Sequence, residues 1–116
     1  MSPSLPRKRE RRFRRRPVRL LVDFQGDTGV RCEYATTLGA GGLFIETEEP
    51  AEIGTPIRVR FRLPESGQVH EIEGRVAWHR RATPEAPITR APGMGIEFVD
   101  AAAAAALERD LDGRPL

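Results

Sequence analysis

The sequence predicts a mainly β domain, in which six antiparallel strands wrap into a small barrel and a short C-terminal helix closes one mouth. Three observations support this prediction. Apolar and polar residues alternate in several short segments, turns rich in glycine or proline separate those segments, and the one run with high helix propensity comes last. A chain of 116 residues has the length of one domain. Wrapping six strands into a barrel also removes exposed strand edges.

The first three strands are predicted in the N-terminal half of the chain. Apolar residues at alternate positions over 18–24 indicate the first strand, which ends at the turn residues of 26–29. Alternation resumes over 30–36, and residues 43–45 form the third strand. The glycine-rich segment 39–42 therefore connects the second strand with the third.

The fourth and fifth strands are predicted to form a hairpin. Residues 57–63 alternate between apolar side chains and arginines, so one face of this strand belongs to the core and the other contacts water. The arginines are expected to face Glu71 and Glu73 on the neighbouring strand. The inner face of the fifth strand is expected to consist of Ile72, Gly74, Val76 and Trp78.

The C-terminal part of the chain supplies the sixth strand and the helix. A loop with three prolines runs from Arg80 to Pro92, and Gly93 to Val99 form the last strand. Asp100 is a suitable N-cap for the alanine-rich run that follows, so we predict a helix over 101–113 that caps the barrel.

Three local environments follow from these patterns. Trp78 lies in an alternating strand and is expected to pack in the core, with stacking on a base at the barrel mouth as the alternative. Cys32, the single cysteine, is expected to be a small buried apolar residue. Gly39, Gly41 and Gly42 are expected to form a turn with positive φ angles.

Basic residues are concentrated near the N-terminus. Nine of the 19 basic residues lie between Arg7 and Arg19, against one acid, Glu10, so this segment carries +8 while the rest of the chain carries about −6. Residues 1–16 are therefore expected to form a flexible basic arm. Almost all of its cations are arginines, whose planar guanidinium groups bind phosphates and guanine edges in a bidentate manner. A genomic bias towards arginine is the alternative explanation of this composition.

The sequence argues against catalysis, metal binding and membrane insertion. It contains two histidines, His70 and His79, and one cysteine, which supply neither a plausible triad nor the usual zinc ligand set. No stretch approaches the roughly 20 apolar residues of a transmembrane helix, and no secretory signal is recognisable. We therefore expect a cytoplasmic binding module that has no cofactor and is not an enzyme.

Two segments carry the chemistry of a binding site. The arm contains an R-x-x-x-R spacing from Arg11 to Arg15, although the dense run repeats this spacing from Arg7 to Arg11 and from Arg12 to Arg16. The second segment covers 36–45, where glycines let the backbone approach a ligand closely and expose N–H groups to anions. Spaced arginines and a glycine-rich turn together indicate a phosphorylated ligand.

In this order and at this separation, the two segments resemble the PilZ domain, a bacterial receptor family for the second messenger cyclic di-GMP. The similarity extends over 10–100 and includes residues 15–18, 42–45, 74–78 and 93–98. The resemblance implies a six-stranded antiparallel split β-barrel over 17–100, followed by the helix over 101–113.

The resemblance also implies which residues bind the ligand. In the family, two arginines of the R-x-x-x-R segment bind the phosphates and guanines of cyclic di-GMP, and a D/N-x-S-x-x-G turn completes the site. The second arginine usually stands two residues before a Pro-Val pair, and here this position is Arg15. The second motif retains only its last glycine, since threonine replaces the acid or amide and glycine replaces the serine. The predicted ligand-binding residues are Arg11, Arg12, Arg15, Thr37, Gly39 and Gly42.

Three functions remain open at this point. The first is a cyclic di-GMP effector or adaptor in which the bound nucleotide holds the arm against the barrel and changes the surface offered to a protein partner. The second is a degenerate adaptor that binds no nucleotide and acts through protein contacts alone. The third is an electrostatic tether to nucleic acid or anionic membranes, although the acidic body argues against specific nucleic-acid binding.

Overall fold

The computed structural model describes residues 15–27, 29–82 and 91–112. These residues form six strands and one helix: β1 (Arg15–Gly26), β2 (Gly29–Gly39), β3 (Gly42–Glu46), β4 (Pro56–Arg62), β5 (Val69–Arg80), β6 (Gly93–Phe98) and α1 (Ala101–Asp112). The prediction of a flexible arm falls mostly on residues 1–14, which lie outside the described residues, whereas residues 15 and 16 already belong to β1. No helix within the described ranges is long and apolar enough to cross a membrane.

The strands form a closed antiparallel barrel in the order β1-β2-β3-β6-β5-β4. The β1–β2 hairpin pairs over nearly its whole length, whereas β1 and β4 close the barrel through three residue pairs, from Asp23–Arg60 to Gln25–Arg58. The predicted mainly β fold, with six strands and one short C-terminal helix, is confirmed. Closure through so short a ladder also leaves the rest of the β1–β4 seam without strand pairing.

Apolar residues of every strand meet inside the barrel. One row of direct cross-strand partners illustrates this packing: Leu38 pairs with Leu43, Leu43 with Ile96, and Ile96 with Val76. All four side chains are at most 1% exposed. Burying a side chain of this size contributes about 1.5–3 kcal/mol, so this row fixes the register of four strands.

The helix α1 is capped as predicted and packs against the barrel. Asp100 accepts a hydrogen bond from the backbone N–H of Ala103 through its carboxylate, at 3.1 Å. Leu107 is fully buried among the strand residues of the core. Towards the end of the helix, Asp110 accepts a hydrogen bond from the Ser66 hydroxyl at 2.9 Å and lies 2.8 Å from His70 Nε2. These contacts attach α1 to the β4–β5 hairpin.

The structure corrects the expectation that Trp78 packs in the core. A bulge in β5 leaves Ala77 as an extra residue, because Val76 pairs with Ile96 while Trp78 pairs with the adjacent residue, Gly95. The extra residue reverses the inward and outward phase of the strand. The Trp78 side chain consequently lies on the outer face and is 39% exposed.

The expectation that Cys32 is buried is also wrong. Val22 and Phe24 occupy the inner face of β1, and Cys32 pairs with Asp23 between them on the outer face. Residues paired directly across an antiparallel ladder share a face. The alternating residues of β2 that include Cys32 therefore point outwards at this end of the strand. Desolvation raises the pKa of the Cys32 thiol, and a hydrogen bond with Asp23 raises it further.

Candidate functional site

The strand register brings four of the predicted ligand-binding residues together. The Cα atom of Arg15 is opposite that of Gly39, Gly39 is opposite Gly42, and Thr37 precedes Gly39 by two residues on the same strand. The two sequence motifs, more than 20 residues apart in the chain, therefore meet on the β1–β2–β3 sheet. Arg11 and Arg12 lie outside the described residues.

Three of these positions, Thr37, Gly39 and Gly42, lie on the outer face of the barrel. Leu38, between Thr37 and Gly39, points into the core and is fully buried. Because successive residues of a strand face opposite sides, Thr37 and Gly39 belong to the outer phase. The ladder continues from Gly42 to Glu97 on β6. We call the sequence of partners Arg15, Gly39, Gly42 and Glu97 the glycine row.

The glycines of this row do not have the backbone angles that we expected. Among the described residues, positive φ values occur at Gly29, Gly54 and Gly67, so the expectation for Gly39, Gly41 and Gly42 is wrong. Gly42 is required for a different reason, because a Cβ atom there would overlap the carbonyl oxygen of Ile96. The close approach of β3 to β6 depends on this missing side chain.

The turn between β2 and β3 is short and attached to the last strand. Ala40 and Gly41 alone separate the paired residues Gly39 and Gly42. The carbonyl oxygen of Gly41 accepts a hydrogen bond from the backbone N–H of Phe98 at 3.0 Å. This contact holds the glycine segment in a defined position beside β6.

A second row of partners lies beside the glycine row on the same outer face. Thr37 pairs with Phe44, Phe44 with Gly95, and Gly95 with Trp78. We call these residues the aromatic row. The rings of Phe44 and Trp78 are stacked, with centroids 5.2 Å apart and planes 20° from parallel. Thr37, which stands where the family motif has an acid or amide, is therefore a strand neighbour of a flat aromatic surface.

Glycines of β6 make room for this aromatic surface. A Cβ atom at Gly95 would overlap the indole ring of Trp78, and one at Gly93 would overlap the ring of Phe44. Our sequence reasoning missed this arrangement, although two glycines inside a strand are a known sign that another group approaches closely. The Gly-Met-Gly pattern at 93–95 was therefore a usable signal.

Arg80 covers the aromatic pair with a positive charge. Its guanidinium carbon lies 5.2 Å from the centroid of Phe44 and 5.6 Å from that of Trp78. Its Nε donates a hydrogen bond to the carbonyl oxygen of Ala91 at 2.8 Å. The side chain thereby connects the end of β5 with the residues that precede β6. A cation beside stacked rings is suited to a planar, electron-rich and anionic ligand.

The hydroxyl group of Thr37 has no hydrogen-bond partner among the described residues. Its oxygen is buried and makes no hydrogen bond within the described part of the chain. A buried polar group without a partner costs about 1–3 kcal/mol, so it is usually explained by a bound molecule or by function. Position 37 therefore has unused hydrogen-bonding capacity.

A groove of about 590 Å³ borders both rows. It runs between α1 and the outer face of β5 and β6, and its walls are mostly small residues. The lining includes Gly41, Ala77, Trp78, Glu97, Ala104 and Glu108. The groove thus combines an aromatic wall with two carboxylates. The described residues contain no group of three or more potential metal ligands.

Comparison with known proteins identifies the family of this chain. The PilZ domain family matches residues 7–113, which is nearly the whole sequence. No curated protein sequence matches.

Two solved structures share the fold. The Bacillus subtilis inhibitor of motility (MotI/DgrA) is similar with a TM-score of 0.65 and 21% identity over 88% of this chain and 51% of that chain. The PilZ domain of CeSA from a cellulose-synthesizing bacterium is similar with a TM-score of 0.60 and 20% identity over 85% of this chain and 98% of that chain. This chain thus spans about half the length of the motility inhibitor.

Proposed function

This chain belongs to the PilZ domain family, and on that premise we propose that it is an effector or adaptor module that binds cyclic di-GMP on the outer face of β1, β2, β3 and β6. One observation supports the proposal most: the register places Arg15 directly opposite Gly39, which is in turn opposite Gly42, so both motifs of the family meet on one sheet. Arg11 and Arg12 of the arm complete the proposed set of cationic ligands.

The two rows offer different interactions to a cyclic dinucleotide. In the glycine row, Arg15 binds a phosphate, and the absence of side chains at Gly39 and Gly42 lets the ligand approach the backbone. In the aromatic row, Trp78 presents a ring on which a guanine stacks, and Arg80 lies beside it. Phosphates and bases are thus bound by adjacent rows of one sheet.

Charge favours this location for an anionic ligand. The segment from Arg7 to Arg19 carries +8, whereas the remaining chain carries about −6, and Arg15 of this segment pairs with Gly39 in the glycine row. We propose that the arm folds over the bound nucleotide and that the altered surface is recognised by a partner protein. We assign no catalytic step to the chain, and we expect it to act in the cytoplasm, where cyclic di-GMP is produced and sensed.

A second candidate function is an adaptor that binds no nucleotide. Thr37 and Gly39 depart from the family motif, which weakens the expected contacts with guanine. The outer face of the β1–β2 hairpin carries apolar side chains that are accessible to a protein partner, namely Leu21, Val30 and Tyr34, with 52%, 68% and 39% of their surface exposed. Nucleotide binding separates the two candidates.

Titration calorimetry with cyclic di-GMP tests the proposal directly. We expect saturable binding in the micromolar range and a change in the fluorescence of Trp78, which is the only tryptophan of the chain. Cyclic di-AMP serves as the control for guanine preference. The absence of binding would favour the nucleotide-free adaptor. Binding that is equally strong for both dinucleotides and decreases steeply with salt would indicate an electrostatic tether instead.

A further inference from the structure

We propose that Glu97 supplies the carboxylate that recognises guanine in this chain, in place of the acid or amide that position 37 has lost. This inference rests on the proposed binding of cyclic di-GMP and names the residue that determines its specificity. Glu97 is the strand partner of Gly42 and closes the glycine row on β6. It is therefore on the same outer face as Thr37, Gly39 and Gly42.

The location of Glu97 suits a base whose phosphate is bound at the start of the row. Neighbouring strands are about 4.8 Å apart, so Glu97 is about 10 Å from Gly39, two strands away. A nucleotide spans such a distance between its phosphate and the hydrogen-bonding edge of its base. A phosphate bound at Arg15 and Gly39 thus leaves the base within reach of Glu97.

The groove beside Glu97 has the shape and chemistry for a planar base. Trp78 forms one wall, and small residues of α1, including Ala104 and Ala105, form another, within a volume of about 590 Å³. Glu97 and Glu108 are the carboxylates in this lining. An apolar slot with one aromatic wall accepts the faces of a heterocycle, and a carboxylate in it accepts hydrogen bonds from the edge.

Guanine is the nucleobase that fits a carboxylate acceptor best. Its N1–H and 2-amino group are adjacent donors, and the two oxygens of a carboxylate accept from both. Adenine has no N1–H and would present a lone pair to the same carboxylate. Threonine at position 37 has a single hydroxyl group and cannot make this bidentate contact.

The present partner of Glu97 leaves the carboxylate available. Arg75 Nε lies 3.4 Å from Glu97 Oε1, and both side chains are more than half exposed, at 58% and 52%. An exposed ion pair with so long a contact contributes little free energy. The guanine edge can therefore compete with Arg75 for the carboxylate.

The test compares Glu97→Gln with wild-type protein in calorimetric titrations with cyclic di-GMP and with cyclic di-IMP, whose hypoxanthine bases lack the 2-amino group. Wild-type protein should prefer cyclic di-GMP. We expect Glu97→Gln to weaken cyclic di-GMP binding about tenfold and to reduce the preference over cyclic di-IMP. Because Glu97 is exposed, the variant should keep the wild-type unfolding midpoint.

Three matched variants separate recognition from structure. Glu71→Gln removes a carboxylate from the same outer surface, where Glu71 pairs with Arg60 and does not line the groove, and should leave binding unchanged. Arg75→Gln removes the ion pair but keeps the Glu97 carboxylate, so binding should persist. A loss in Arg75→Gln equal to that in Glu97→Gln would overturn the inference. A loss in Glu108→Gln without one in Glu97→Gln would also overturn it.

The failure of this inference differs from the failure of the proposed function. Wild-type affinity in Glu97→Gln, with the preference for cyclic di-GMP intact, refutes the role of Glu97 and leaves nucleotide binding established. The absence of cyclic di-GMP binding in wild-type protein refutes both.

Discussion

The outer surface of the barrel has two faces built on opposite principles. On the β4–β5 face, arginines and glutamates alternate across the ladder, with Arg58 opposite Glu73 and Arg60 opposite Glu71. The Arg58 Nε and Glu73 carboxylate are 2.6 Å apart. On this charged face, side chains of opposite charge are partners within the sheet, and water solvates the remainder.

The face that carries the glycine row and the aromatic row is different. Glycines at 39, 42 and 95 leave parts of the sheet without side chains, and the Thr37 hydroxyl oxygen is buried without a partner among the described residues. In the aromatic row, stacked rings take the place of ion pairs. On the charged face, side chains are thus paired within the sheet without a ligand. The other face has space and hydrogen-bonding capacity for a ligand.

The largest effect is expected from filling the glycine row. Gly42→Ala places a Cβ atom against the carbonyl oxygen of Ile96, a backbone atom that moves only with its strand. We expect a loss of about 3 kcal/mol in the free energy of unfolding, measured with urea.

A matched control for this change is Gly54→Ala. A Cβ atom at Gly54 meets nothing within 4 Å, but its φ of 95° is unfavourable for alanine, so the cost should be about 1 kcal/mol. Equal losses in the two variants would mean that the contact between β3 and β6 is not what requires a glycine at position 42.

The next effect separates the two faces by their arginines. We expect Arg15→Ala to weaken cyclic di-GMP binding about tenfold to a hundredfold, because it removes a charge-assisted contact worth about 1.5–3 kcal/mol. Arg60→Ala, on the charged face, should leave the affinity unchanged, as should Arg7→Ala, which precedes the motif. Calorimetric titration measures all three, and similar losses in each would point to unspecific attraction of the anion.

Restoring the family motif is expected to give a gain of function. Thr37→Asp restores the acid of the family motif and should strengthen cyclic di-GMP binding about tenfold, since a charged acceptor replaces a hydroxyl group. Adding Gly39→Ser should give a smaller gain of about fivefold, corresponding to about 1 kcal/mol for one neutral hydrogen bond. Because Gly39 has no positive φ, serine is not opposed by its backbone angles. Unchanged affinity in both variants would show that the ligand does not reach position 37.

The smallest effect is expected on the charged face. Arg58→Gln breaks the shortest ion pair of the described residues, but the two side chains are 53% and 45% exposed and remain solvated. Neither the urea midpoint nor the affinity for cyclic di-GMP should change measurably. A clear loss of stability would mean that the charged face contributes more to the barrel than its exposure indicates.

Much of the fold could be predicted from the sequence because alternation reports directly on burial. The arginines of β4 mark its outer face, and the hairpin partners Glu71 and Glu73 follow from charge pairing. The bulge at Ala77 could not be predicted in this way, because one extra residue leaves no compositional trace and reverses the direction of Trp78. Cys32 was wrongly predicted to be buried, because its pairing with Asp23 of β1, and not the alternation within β2, determines the face on which it lies.

The candidate site was predictable in its motifs but not in its extent. Arg15, Thr37, Gly39 and Gly42 were identified by resemblance, and the register shows them to be neighbours. The aromatic row and Glu97 depend on β5 and β6, whose positions beside β3 follow from the barrel order. Local sequence patterns do not specify which distant strands become neighbours.

If the face with the glycine row binds cyclic di-GMP, backbone amide chemical shifts followed during a titration should locate the nucleotide there. The largest shifts should occur in 37–42 and 95–97, together with the indole N–H of Trp78, while the amides of β4 stay unchanged. Shifts that concentrate on β4 and the charged face, or spectra that do not change at saturating nucleotide, would contradict this location of the site.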